Sequence, residues 1–236
     1  MTTPATPVRR LLDRFLCRGT VEAVDDLTPR MRRIRITGES VRGLAWVPGQ
    51  HVRLQVGDLF PNFGNALRTY SVWDYAGDGR LDLCILDHPE GGPGARWARD
   101  VTVGQEVAFT RPEGRLVIHD DAPYQLFVGD ETAAVAFGAM LRALPASARV
   151  FGLLEANGPD DRLPLPRELT WVYRDAEPLT TALEALDLPA EPGVAYIAGE
   201  ARTCQAVRRH LVRDRGWPRK TAIVKPFWAP GKRGMD

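Results

Sequence analysis

Cysteine is scarce in this 236-residue chain: Cys17, Cys84 and Cys204 are odd in number, widely spaced and outside any C-x-x-C pair. That pattern excludes a disulfide framework, and without a Cys/His cluster it excludes a zinc site too, so no resident metal is expected. An excess of charge is also missing, and a net charge of +1 argues against bulk association with nucleic acid. No hydrophobic run is long enough for a bilayer, since the most apolar stretch, 132–144, is short and carries Arg142. Asp13, Arg14 and Arg18 interrupt what would have to be the apolar core of an export signal. A soluble, monomeric, cytoplasmic protein with no membrane partner is expected, and scattered thiols suit a reducing cytosol. There is no internal repeat, no low-complexity tract and no G-x-G-x-x-G fingerprint.

What is present falls into two patterns. Residues 19–24, 31–37, 51–56, 67–73, 81–86 and 106–110 are short runs of β character divided by Gly, Pro and Asp, and six such strands predict a closed antiparallel barrel. From Tyr124 onward strands alternate with helices: strands at 125–128, 149–154, 169–173, 194–198 and 221–224, and helices at 133–144, 179–186 and 201–215. That alternation predicts a doubly wound α/β domain with a parallel sheet. The length suits two domains. The boundary is expected in the polar stretch 119–123, which gives a barrel domain over 1–119, with 1–16 free to be flexible, and an α/β domain over 120–236. The loop 156–167, with three prolines, is expected to be a surface excursion.

The chemistry concentrates in the fourth barrel strand. Side chains alternate along a strand, so Arg68 and Tyr70 point the same way. Arg68 can grip a pyrophosphate with its forked guanidinium, Tyr70 can pack beside a flavin ring, and Ser71 can hydrogen-bond the ring's polar edge. One strand later, residues 87–98 form a glycine-rich turn running into a short helix, whose backbone N–H groups suit phosphate oxygens.

The order of the motifs carries a resemblance. R-T-Y-S at 68–71, H-x(3)-G-P-G-A-R-W-A ending at Ala98, G-D-E-T-A at 129–133, A-G-E-A at 198–201 and F-W-x-x-G at 227–231 together resemble the siderophore-interacting proteins, FAD-dependent ferric-siderophore reductases of the ferredoxin-reductase superfamily. The resemblance runs from about Gly19 to Lys232. It implies an FAD-binding barrel followed by an NAD(P)H-binding-like α/β domain, with FAD held by Arg68, Thr69, Tyr70, Ser71, Asp87, His88, Gly92, Pro93, Ala95, Trp97, Asp130, Thr132, Ala133 and Trp228. Trp228 belongs to an aromatic segment that returns to the flavin, and Lys225, Lys232 and Arg233 would attract an anionic ferric chelate.

The nicotinamide half has its own candidates. With one glycine, the 129–133 turn cannot approach a pyrophosphate as closely as the three-glycine turn allows, and Asp130 or Thr132 can equally be a helix cap. Glu155 ends a strand where an acidic side chain commonly takes the ribose hydroxyls of NADH, and Arg174 ends the next strand, where it can take a phosphate or be a solvated loop residue. Gly199 and Glu200 occupy the position at which ferredoxin reductases bring backbone close to the nicotinamide. Cys204 lies within the following helix and reads as packing.

A nicotinamide gives two electrons as hydride and a ferric centre accepts one, a mismatch that a flavin resolves. A siderophore saturates iron with its own oxygens, so the protein need supply no metal ligand. NADH, NADPH or reduced ferredoxin remains open as donor. In place of the basic residue that many relatives carry just after R-x-Y-[ST], this chain has Val72 and Trp73, and the loop 61–65 is uncharged. Two other readings follow: a flavoenzyme acting on a small organic metabolite, with Trp73 and Trp228 forming an aromatic pocket, or a non-catalytic module that holds flavin or chelate.

Overall fold

The long first strand shows how charge patterning sets the barrel. In the computed structural model, which describes residues 16–57, 66–88, 91–119 and 121–232, β1 (Leu16–Thr28) is 13 residues long rather than the six expected. Its Asp25 and Asp26 look like loop residues in isolation. They are instead cross-strand partners of Arg33 and Arg32 on β2 (Met31–Thr37), forming ion pairs of 2.7 and 3.2 Å that support an exposed pairing. Register shifts after Val21 and Asp26 bend the strand, as bulges do, so that it pairs with β2 on one edge and β6 on the other.

Four further strands close the barrel: β3 (His51–Gln55), β4 (Leu67–Tyr75), β5 (Arg80–Leu86) and β6 (Glu106–Thr110), in the order β1-β2-β5-β4-β3-β6, every neighbouring pair antiparallel. Alternation sorts the faces. Ile34, Ile36, Val52, Leu54, Leu81, Leu83 and Phe109 fill the interior, while Arg35 turns outward into a forked pair of 2.8 and 2.9 Å with Asp82, its partner on β5. Helix α1 (Pro93–Asp100) joins β5 to β6.

Between β6 and the second layer, Leu116 and Ile118 pack into a shared core. A five-stranded parallel sheet follows, built from β7 (Gln125–Asp130), β8 (Val150–Ala156), β9 (Thr170–Tyr173), β10 (Val194–Glu200) and β11 (Ala222–Trp228), in the order β11-β10-β7-β8-β9. Helices α2 (Glu131–Ala143), α3 (Leu179–Ala185) and α4 (Ala201–Arg209) connect them. The strand order reverses between β7 and β10, so the topological switch point lies at their carboxyl ends, the place where open α/β sheets bind ligands.

Two boundaries differ from the sequence reading. The last helix is α-helical only to Arg209 and closes with a π turn over His210–Asp214. Strand β11 continues through Pro226 to Trp228, which is possible because it is an edge strand whose outer side needs no N–H donor.

Barrel and sheet share one core. Met31, Trp73 and Cys84 from the barrel pack with Phe137, Met140 and Leu141 of α2. A Cβ at Gly138 would lie 2.4 Å from the Trp73 ring, so the missing side chain lets the indole lie against the helix. The Arg142 guanidinium stands 4.4 Å from the ring centroid and donates to the Trp73 carbonyl. Trp73 is buried, which overturns the aromatic pocket expected from Trp73 with Trp228: the first is locked into the core between the layers and the second ends an edge strand.

Candidate functional site

The two barrel motifs meet in space. Arg68 and Tyr70 share a face of β4, and both reach Gly94 in the first turn of α1: a Cβ there would lie 1.8 Å from the Tyr70 hydroxyl and 3.3 Å from Arg68 Cγ. Burial raises the Tyr70 phenol above its ordinary pKa, with the Arg68 charge opposing, so it stays protonated at neutral pH. Arg68 donates to the Leu67 carbonyl at 2.7 Å. Helix α1 starts from Gly92 with Pro93 in its first turn and, among the described residues, no side chain capping it; the Gly92 carbonyl takes the Arg96 N–H at 3.1 Å, and the N–H groups ahead of it suit an anion. Ala95 is buried, and Trp97 packs against the barrel core beside Ala98. Asp87 pairs with Arg99 at 3.4 Å, and the His88 carbonyl accepts from Gly91 N–H at 2.8 Å. These residues fit a dinucleotide such as FAD: a cation, a ring hydroxyl and an uncapped helix start converge. Thr69 is exposed on the opposite face of β4, and buried Ser71 stands across from His51.

His51 links this strand to the segment that follows β6, pairing with Ser71 on one side and bridging to Glu113 on the other. Burial, aided by the charges of Lys225 and Arg53 and opposed by Glu113, holds its imidazole below the usual histidine range. Neither His51 nor Glu113 carried a motif in the sequence; the fold brings them together through an isolated antiparallel bridge, with the imidazole 3.8 Å from the Glu113 carboxylate. Lys232 is exposed, its N–H bonded to the Ala229 carbonyl at 3.1 Å, and Arg233 lies outside the described residues.

At the switch point the β7–α2 turn is filled by the protein itself. Asp130 caps α2: its Oδ1 accepts from the N–H groups of Thr132 and Ala133 at 2.9 and 3.2 Å and from the Thr132 hydroxyl at 2.5 Å. Its Oδ2 accepts from Glu200 N–H at 3.0 Å and Trp228 Nε1 at 2.8 Å. Burial, with the neighbouring Glu131 charge, pushes the Asp130 carboxyl up, against its bonds from Thr132 and Trp228. Asp130, Thr132 and Ala133 thus spend these groups on one another. A Cβ at Gly129 would lie 2.4 Å from the Ala198 carbonyl oxygen, and one at Gly199, at φ +114°, would lie 2.6 Å from Asp130 Cγ. Both glycines are accounted for by packing alone.

Beside this turn lies an ionic network for which the sequence offered only fragments. Glu131 is 1% exposed and receives Arg30 at 2.8 Å and Arg174 at 2.8 and 2.5 Å. Arg30 also grips Asp161 with two bonds of 3.0 Å. Arg174 also holds Glu155 at 3.1 Å and donates to Asn157. Burial raises the Glu155 carboxyl, with Arg174 opposing. Arg174 is therefore an organised member of the sheet's carboxyl edge. Glu200 caps α4 through Thr203 N–H at 2.7 Å, and although burial opposes it, backbone N–H groups of Arg202 and Thr203 hold its carboxyl below the ordinary range. The other Glu200 oxygen is buried without a hydrogen-bond partner. Cys17, Cys84 and Cys204 are buried, free thiols, and desolvation pushes Cys204 up to about 12, which leaves it protonated and unreactive at neutral pH. No helix among the described residues is long and apolar enough to cross a membrane.

Comparison with known proteins fits this geometry. Residues 63–116 match the family described as siderophore-interacting FAD-binding domain, and residues 122–231 match that described as siderophore-interacting protein. The ferric vibriobactin reductase ViuB of Vibrio cholerae is 27% identical over 234 residues, covering 87% of this chain and 86% of ViuB. The siderophore-interacting protein SipS from Aeromonas hydrophila superposes with a TM-score of 0.79 at 26% identity, covering 92% of this chain and 93% of SipS. The ferredoxin-NADP+ reductase from Plasmodium falciparum has a TM-score of 0.72 at 14% identity over 90% of this chain and 96% of its own, a likeness of fold.

Proposed function

Because this chain belongs to the siderophore-interacting proteins, a family of flavin-dependent oxidoreductases with the ferredoxin-reductase fold, we propose that it is a monomeric, cytoplasmic reductase. It would pass electrons from NADH, NADPH or a reduced ferredoxin through FAD to a ferric siderophore, releasing ferrous iron. The observation that carries this reading is the meeting of Arg68 and Tyr70 with the uncapped start of α1 at Gly94. Arg68 would balance the pyrophosphate charge together with the helix N-terminus, Tyr70 would support the ring system, and Ser71 would bond its polar edge. FAD supplies the conversion between a two-electron donor and a one-electron acceptor. Asp87, His88, Gly92, Pro93, Ala95 and Trp97 would complete its seat, with Thr69 outside it on the other face of β4.

The chelate would be drawn by Lys225 and Lys232, with Arg233 next to Lys232 in the sequence adding its charge, because positive charge raises the local concentration of an anionic complex. The β7–α2 turn bears on the donor. Its first N–H groups are taken by Asp130, and Glu131 sets a second buried carboxylate beside them, so a nicotinamide dinucleotide would have to seat its pyrophosphate elsewhere along the edge, with Gly199, Glu200 and the Glu155–Arg174 pair as its nearest contacts.

The test is the visible spectrum of the FAD-reconstituted protein under anaerobic conditions, with NADH, NADPH and reduced ferredoxin in separate arms, followed by a ferric hydroxamate. Bleaching by one donor and recovery on adding the chelate, with ferrous iron trapped by a specific dye, is the expected result. Bound flavin that ignores the chelate would overturn the iron-reductase assignment, and failure to bind FAD would overturn the flavin assignment.

A further inference from the structure

We propose that Asp130 is a positioning residue, whose buried carboxylate fixes the indole of Trp228 at the mouth of the crevice and so governs how closed the flavin is; the inference rests on the FAD reading above. Asp130 ties together the ends of three strands: its own β7, β10 through Glu200 N–H at 3.0 Å, and β11 through Trp228 Nε1 at 2.8 Å. Two local departures from regular structure serve this link. Gly199 gives up its side chain where a Cβ would lie 2.6 Å from the Asp130 carboxyl carbon. The β10–β11 register shifts between Gly199 and Glu200, so that Trp228, and not Phe227, stands opposite Glu200, as a bulge re-aims a side chain.

The exposure of Trp228 separates this role from ordinary packing. A tryptophan that pins a loose end buries its ring, yet Trp228 is 37% exposed and shares the class of exposed large hydrophobics only with Val47 and Val103 among the described residues. Its single polar atom is anchored inward on a charged acceptor while ring surface stays open. A hydrogen bond to a buried carboxylate is strong enough to hold one rotamer of a side chain with two soft torsions. The ring is therefore presented, in a fixed orientation, to whatever occupies the crevice.

Asp130→Asn isolates the link. An asparagine can keep its oxygen on Thr132 and Ala133, preserving the cap, but turns an amide N–H toward the donors of Trp228 and Glu200. In 15N-labelled protein the Trp228 indole resonance should move and its N–H exchange faster with water, with or without FAD. With FAD bound, Asp130→Asn and Trp228→Phe should each weaken flavin affinity by about fivefold and raise flavin fluorescence about twofold, because an indole held against a flavin both buries and quenches it. The double variant should do no more than either alone. Unchanged affinity and fluorescence in Trp228→Phe, which leaves the cap intact, would overturn the proposal even if Asp130→Asn fails to fold. Additive effects in the double variant would also overturn it. A wild-type chain that binds no FAD would remove the flavin reading itself, and the positioning role with it.

Discussion

At the scale of single residues, the charged groups at the sheet's carboxyl edge matter most for what they hold in place. Glu131 lies between Arg30 and Arg174 with 1% exposure, so Glu131→Gln leaves two half-buried guanidinium groups short of a counter-charge. Removing one partner of a buried pair is costly, and since Arg30 and Arg174 keep Asp161 and Glu155, the expected loss is about 2–3 kcal/mol in urea unfolding. A change below ~0.5 kcal/mol would show that the network is effectively solvated. His51 predicts a pH dependence. Burial, with Lys225 and Arg53, lowers its folded pKa below the ordinary 6.5, so the folded state prefers the neutral ring. Its contribution to stability is complete above the unfolded pKa and is lost as pH falls through the lower folded value. The stability difference between wild type and His51→Gln should hold steady at pH 7 and above and shrink on acidification below about 6.5. A difference that grows on acidification would mean that Glu113 dominates and the folded pKa is raised.

At the scale of elements, α1 and β4 form a unit that neither builds alone. Gly94→Ala places a methyl group 1.8 Å from the Tyr70 hydroxyl, a clash relieved only by moving the ring or the helix. Overpacking of this kind costs about 1–3 kcal/mol, and the larger effect should fall on FAD affinity, with at least a tenfold loss by titration. Retained affinity would show that the contact between β4 and α1 is dispensable to the flavin seat. Element type was readable locally in β2, where Ile34 and Ile36 alternate with Arg33 and Arg35, and in α2, where an apolar run follows a capping Asp130. Element length was not. The extension of β1 to 13 residues depends on arginines supplied by β2, and the end of α4 in a π turn has no local signal.

At the scale of the whole molecule, barrel and sheet behave as one body because Trp73 is driven into α2. Trp73→Ala removes the ring between Gly138 and Arg142 and should cost about 3 kcal/mol, within the range for a buried tryptophan. It should also make barrel and sheet unfold at separate denaturant concentrations where the wild type unfolds at one. A single transition merely shifted to lower denaturant would place the coupling elsewhere in the shared core. Arg142 brings its guanidinium to Trp73 from 69 residues away. The amino-acid sequence alone determined the barrel followed by a parallel sheet, the order of the motifs and the family, because hydrophobic period, turn residues and local motifs are properties of neighbouring positions. Only the tertiary structure decided that Asp130 faces inward to Trp228 and Glu200, that Glu131 is the centre of an ionic network, and that Trp73 belongs to a shared core. Each of these depends on groups far apart in the chain, whose burial and partners exist only once the barrel and the sheet have packed.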